Sequence, residues 1–389
     1  MKKNTMQIVV LISGYSILYF ISSTSIYYLS LSQNTNGISL SLFGGGDDGI
    51  FYYEQATKIA NNLPYVYTSI HALIFGWILK IFHTDSVYLL RVFNYLANLG
   101  LILISLLFLK KIMGNKSAYW MSATILVILM AFYPSLLLNT TMSLYRDVWI
   151  YLFFLWCMYL FSNIFIIKGK YPKLLSVILL VFTMFMLGGY RKYALLSFLL
   201  GSMIYLLINL VCNNKIRLKK YTLIGIVGFS LFFLFFKNVK FPIIGLSFSE
   251  ALMYRQSSLE AGGSQMGISL DQSNILLFYA NYLHSFISNF IGPLPWQISG
   301  GSTLIIMLTE GLVFLLIVIF LIRKRSMFSN LEKYFLIQSF IWFLLIGVSN
   351  DNLGTASRLR IVGWLPIIII FSKYYGEQLF IAREEKIKK

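Results

Sequence analysis

Long apolar runs separated by short polar and basic turns dominate this sequence. A transmembrane helix needs about 20 mostly apolar residues. Runs of roughly that length fall at 7–29, 88–109, 117–135, 148–167, 174–189, 193–212, 221–237, 303–322, 333–348 and 361–377. The pattern predicts an all-α, polytopic integral membrane protein with about ten transmembrane helices, forming one transmembrane domain over residues 1–389. The first run ends in no small-residue cleavage site and is read as a span, not a signal peptide. No soluble domain is expected at either end, and no period of 20 to 50 residues marks a repeat. Two intervening segments are long, 30–87 and 238–302, and the remaining connections are short.

The basic residues orient these spans. With Lys2 and Lys3 inside and the chain alternating sides, the inner segments carry Lys110, Lys111 and Lys116, then Lys168, Lys170 and Lys173. Next come Lys215, Arg217, Lys219 and Lys220, then Arg323, Lys324, Arg325 and Lys333, and finally Arg383, Lys386, Lys388 and Lys389. Every inner segment is basic, as the positive-inside rule requires. The expected placement is a bacterial cytoplasmic membrane with both termini cytoplasmic. Residues 65–82 tempt a further span, but it would invert this pattern, and the stretch holds His71 and Lys80. Residues 51–82 are therefore expected as one or two interfacial helices in the first outer loop.

Composition agrees. Of the 389 residues, 58% are hydrophobic and 12% charged, against roughly 25% charged in soluble chains; the mean hydropathy is +0.74. A soluble secreted enzyme, a disordered scaffold and a nucleic-acid binder are excluded. The net charge of +18 reflects topology, not nucleic-acid binding. Cys157 and Cys212 sit in apolar runs and read as small hydrophobes. His71, His83 and His284 lack metal-ligand spacing, and no nucleotide loop or Ser-His-Asp order occurs.

The acidic residues sort to the outer side, among them Asp47, Asp48, Glu54, Asp85, Asp147, Glu250 and Asp351. Carboxylates contribute little to topology, so their concentration there points to an outward-facing polar site. Gly44-Gly45-Gly46-Asp47-Asp48 follows the first span, and Glu54 lies six residues on. A partly desolvated carboxylate at a membrane edge suits a general base for a hydroxyl. The same pair fits a divalent cation, and a helix-capping turn explains it equally well. Arg146-Asp147 opens the fourth span, where Asp is also a favourable partner of the helix dipole.

Outer cations run against the inside bias. Arg191 and Lys192 form a tight turn, Arg358 and Arg360 precede the last span, and Arg255 lies in the second long segment. Together with Arg146 they would make an outer basic pocket for a phosphate or pyrophosphate, which the guanidinium fork matches. Ion pairing, as between Arg191 and Asp147, or snorkelling would account for individual members. Pro293-Leu294-Pro295-Trp296 reads as a rigid interfacial corner with an anchoring Trp.

The layout resembles the GT-C membrane glycosyltransferases, in particular bacterial relatives of the protein O-mannosyltransferase and aminoarabinose transferase group. The resemblance rests on Asp47-Asp48 ahead of Tyr52, Tyr53 and Ala56, on Leu63-Pro64-Tyr65 leading to Phe75-Gly76, on Arg91, on Lys110-Lys111 with Gly114, and on Pro134 and Asp147. It covers about the first 200 residues. The family usually has Asp-Glu and a double Pro where this chain has Asp47-Asp48 and Pro64 alone. The second half also looks like surface-polysaccharide polymerases.

The resemblance implies an inverting glycosyltransferase in cell-envelope glycan synthesis. Its donor would be a polyprenyl-phosphate-linked or pyrophosphate-linked sugar, and its acceptor a hydroxyl on a glycan, lipid or protein. Asp47 or Asp48 would be the catalytic base, with a divalent cation as the alternative role. Glu54, Arg146, Asp147, Arg191, Lys192, Arg255, Arg358 and Arg360 would bind substrate. Two rival readings stand beside it: a polymerase of lipid-linked repeat units, in which the arginines matter more than the aspartates, and a lipid-linked sugar flippase. The flippase needs a polar path across the bilayer, and mid-span charges are nearly absent apart from Glu310.

Overall fold

A computed structural model describes residues 2–40, 48–114, 116–166, 173–211, 230, 237–240, 245–257, 264–270 and 274–388. Among these residues the chain is helical, with two isolated bridges, Lys240 to Ser247 and Gln265 to Asn352, and no strand. The helices are α1 (Lys2–Ser32), α2 (Asp48–Ala60), α3 (Ile70–Ile81), α4 (Val87–Met113), α5 (Tyr119–Ala131), α6 (Pro134–Thr141) and α7 (Asp147–Phe165). They continue as α8 (Lys173–Tyr190), α9 (Lys192–Val211), α10 (Phe248–Ser257) and α11 (Ile275–Ile291). Then α12 (Gly301–Ile306) runs through a π-helical turn, Met307–Gly311, into α13 (Leu312–Lys324), followed by α14 (Asn330–Ser349) and α15 (Leu353–Lys388).

Among the described residues, seven helices are long and apolar enough to cross a membrane, or eight if α5 and α6 form one bent span. The protein is thus a polytopic membrane protein with fewer demonstrable spans than the ten expected. Three of the ten account for the difference. The 117–135 run breaks at Phe132–Tyr133, and α5 and α6 meet at 58°. Pro134 is the cause: it cannot donate to the preceding turn and holds Tyr133 extended, at φ −79° and ψ 102°. The 174–189 run is helical but short. The 221–237 run lies almost wholly outside the described residues. The second long segment, expected as a loop, contains α10 and the apolar α11. α11 is 17 residues long and is not among the helices long enough to cross a membrane.

The chain divides into two compact units: one of Met1–Arg191, Ile317–Glu332 and Trp364–Lys389, the other of Lys192–Leu316 and Lys333–Gly363. In the first, the stretch expected to hold interfacial helices contains two short helices, α2 and α3. They pack face to face: a Cβ on Gly76 would meet Ile59 at 2.6 Å and the Ala56 carbonyl at 3.0 Å. Ala56, Phe75, Leu79, Val87, Leu90 and Leu144 make one apolar cluster beneath them. The far end of α3 is thereby seated on α4, and its first turn meets α8, where Gly189 lies against Ile70.

Arg91 ties this unit together. It is 3% exposed and its guanidinium donates to the carbonyls of Gly37 (2.8 Å), Ile38 (2.9 Å) and Thr141 (2.7 Å). It thus joins the segment after α1 to the end of α6, satisfying carbonyls that neither helix can use. At another place in the unit, buried Glu332 accepts from Lys373 at 2.7 Å and from the Ser329 backbone N–H at 2.6 Å. Charge-assisted bonds of this kind contribute about 1.5–3 kcal/mol each. Arg91→Leu is expected to lower stability by about 3 kcal/mol or more, read as a clear fall in Tm of the detergent-solubilised protein, with Arg91→Lys intermediate because it keeps charge and loses the fork.

Candidate functional site

In the first unit, α2, the start of α3, the turn into α7 and the end of α8 bring the polar residues together. Asp48 is exposed in the first turn of α2, where the helix dipole favours a carboxylate. Tyr52, one turn on, is buried. Its phenol is pushed up to about 12, chiefly by burial, with Arg146 opposing and Asp48 and Asp147 adding to the rise. The Arg146 guanidinium lies over the Tyr52 ring at 5.5 Å, a favourable cation–π position.

Asp147 is 1% exposed and paired with Arg191 at 3.2 Å. This ion pair fixes α7 to the end of α8. Arg146, the neighbour of Asp147 in sequence, takes a different role. It is half-buried, and no hydrogen bond or ion pair joins its guanidinium to a described side chain. A cation kept in such a place, next to a carboxylate already neutralised by another arginine, is suited to an anion from outside the protein.

His71 completes the locus, and sequence reasoning passed over it. It is fully buried in the first turn of α3. Its ring stands edge-on to Tyr52 at 5.2 Å and lies 5.7 Å from the ring of Tyr190. Nε2 lies 3.1 Å from the Leu144 carbonyl. A carbonyl only accepts, so Nε2 carries the proton and Nδ1 is a bare acceptor. Burial lowers the His71 pKa to about 3, with Arg146 adding to the fall and the Leu144 bond opposing it. The only sequence signal was a histidine inside an apolar stretch.

The other expected site residues divide clearly. Asp47 lies outside the described residues. Glu54 is exposed, on α2. Lys192, Arg255, Arg358 and Arg360 belong to the second unit. There Arg255 is buried and serves as a clip: it donates to Asp351 (2.7 Å), the Ile268 carbonyl (2.9 Å), the Gly347 carbonyl (2.8 Å) and Ser285 (3.0 Å). Asp351 in turn accepts from the backbone N–H groups of Gly267 and Ile268. Arg360 is fully buried and donates to the Gly292 and Ala356 carbonyls. These two arginines hold backbone in place. Lys192 is exposed and Arg358 half-buried. Among the described residues no group of three or more His, Cys, Asp or Glu side chains could hold a metal ion.

Two outcomes follow. Asp147→Ala removes the buried carboxylate paired with Arg191 and is expected to cost about 3–5 kcal/mol, whereas Arg146→Ala leaves Tm nearly unchanged. For His71, a folded pKa depressed from 6.5 to about 3 stabilises the fold fully above pH 6.5. That contribution is lost as pH falls toward 3, because the unfolded chain takes up the proton first. The fall in Tm between pH 7 and pH 4 is expected to be smaller in His71→Phe than in the wild type. Comparison with known protein families, curated proteins and solved structures finds no match to this chain.

Proposed function

We propose that the chain is a membrane glycosyltransferase of GT-C-like plan, acting at the outer face of a bacterial cytoplasmic membrane on a polyprenyl-phosphate-linked sugar. One observation carries this reading: the Arg146 guanidinium lies 5.5 Å over the ring of buried Tyr52, one turn of α2 from Asp48, so an acid and a spare cation share one locus. General acid–base work on a hydroxyl and recognition of a phosphate leaving group need that combination.

In this reading Asp48, or Asp47 beside it, takes the proton of the acceptor hydroxyl. The hydroxyl oxygen forms a bond to the anomeric carbon, and the bond from that carbon to the phosphate oxygen breaks. The electron pair leaves with the polyprenyl phosphate, whose charge Arg146 holds. Attack opposite the leaving group inverts the anomeric centre. The Asp147–Arg191 pair fixes the turn that aims Arg146. The interfacial pair α2 and α3 supplies an apolar platform, with Trp77, Ile81 and Phe82 exposed on it, along which a prenyl chain lies.

The test is turnover by purified protein supplied with polyprenyl-linked sugars and cell-envelope acceptors. Single sugar additions that fall roughly 10²-fold or more in Asp47→Ala or Asp48→Ala, with Tm unchanged, support the reading and choose the base. A ladder of repeat units that survives both changes and is lost in Arg358→Ala supports a polymerase instead. Lipid movement across proteoliposomes with no glycosidic bond made contradicts both.

A further inference from the structure

Besides the arginines, three uncharged side chains at the same locus hold polar atoms that find no hydrogen-bond partner among the described residues: Ser69 Oγ, His71 Nδ1 and Tyr190 OH. All three residues are 2% exposed or less. They come from separate places, Ser69 and His71 at the start of α3 and Tyr190 at the end of α8. Contacts bring them together: Ile70 packs on Gly189, and the His71 ring lies 5.7 Å from that of Tyr190. Ser69 occupies the N-cap of α3 yet makes no side-chain capping bond, so its hydroxyl is not used in the ordinary way. Leaving a buried polar group unpaired costs about 1–3 kcal/mol. Three at one place call for a missing partner.

The chemistry of the three atoms narrows that partner. His71 Nδ1 accepts only, since Nε2 carries the proton toward Leu144. A phosphate oxygen facing it would find no donor. The hydroxyls of Ser69 and Tyr190 both give and take. The group that satisfies all three is one that donates a hydrogen and accepts at the same oxygen, as an alcohol does, and as a water would. Arg146, over the ring of Tyr52 that His71 also meets, presents the opposite character and suits the phosphate. The locus therefore has an anion side and a hydroxyl side, as a sugar phosphate ester does.

We propose that Ser69, His71 and Tyr190 form a sugar-hydroxyl subsite, in which His71 Nδ1 receives the hydrogen of a ring hydroxyl whose oxygen accepts from Tyr190 and Ser69. This rests on the glycosyltransferase reading and adds to it the residues that distinguish a glycosylated lipid phosphate from the bare one. The His71 side chain stays neutral throughout the working pH range, so recognition by this subsite does not titrate there. A site built to bond a hydroxyl discriminates strongly against ligands that lack it.

The experiment measures equilibrium binding of farnesyl phosphate and of farnesyl phosphate hexoses (glucose, mannose, galactose) to the detergent-solubilised full chain. For at least one hexose, the wild type is expected to bind the conjugate roughly 10-fold or more tighter than farnesyl phosphate. His71→Phe and Tyr190→Phe are expected to reduce the conjugate to the affinity of farnesyl phosphate and to leave the latter unchanged. Tyr190→Phe removes a single oxygen, and Ser69→Ala is equally small, so a folding failure in His71→Phe does not decide the result. Equal loss of both probes in the variants, or no loss of the sugar increment, overturns the subsite and leaves the transferase reading standing. Wild-type binding of both probes with no sugar increment, the outcome if a water fills the place, does the same. Failure of the wild type to bind either probe overturns both.

Discussion

A buried guanidinium must spend its donors on the protein or on a ligand, because an apolar surrounding offers it nothing else. This constraint organises the chain. Arg91 spends its donors on three backbone carbonyls and thereby joins the segment after α1 to α6. Arg255 does the same for the carbonyls of Ile268 and Gly347 and adds Asp351. Arg191 is spent on Asp147. Of the three arginines at or near the α2–α3 platform, Arg91 and Arg191 bond to the protein, whereas Arg146, half-buried and over an aromatic ring, has no hydrogen bond or ion pair to a described side chain.

The same logic separates scaffold from site at the level of helices. The helices of the α2–α3 pair are each too short to span a bilayer; they close on one another at Gly76, and the pair is fastened to α4 by apolar packing and to α8 by the close approach of Ile70 to Gly189. Its polar ends, Asp48 and the Ser69–His71 turn, are therefore carried on a fixed platform. Catalytic and binding groups placed on rigid elements keep their geometry better than groups on free loops. The break between α5 and α6 serves the platform too: it puts the carbonyls at the end of α6 where Arg91 can reach them.

Much of this was legible in the sequence. Hydropathy runs of sufficient length located the spanning helices, since a period-independent apolar stretch is the least ambiguous signal a chain can carry. The basic turns exclude a span at 65–82, and the structure has in that stretch one helix of 12 residues, α3. An ion pair between Arg191 and Asp147 is one of the roles the sequence allows, and the structure has it. Other features were not legible. Composition cannot show that Pro134 turns the chain by 58° and does not merely begin a span. Nor can it distinguish a cation without a side-chain partner among the described residues from one that caps carbonyls: Arg146 and Arg360 look alike in sequence, and only burial and partners part them. His71 was invisible for a related reason, because a histidine becomes informative when its bonded nitrogen is known.

The central claim is that Arg146 is the cation reserved for a phosphate. The most direct test is the affinity of farnesyl phosphate for the purified protein across a salt series, comparing wild type with Arg146→Gln and with Lys192→Gln as an exposed control. The account expects Arg146→Gln to bind roughly 10-fold or more weakly with a shallower salt dependence, and Lys192→Gln to match the wild type. Equal affinity in Arg146→Gln and wild type, with both folded, would contradict it.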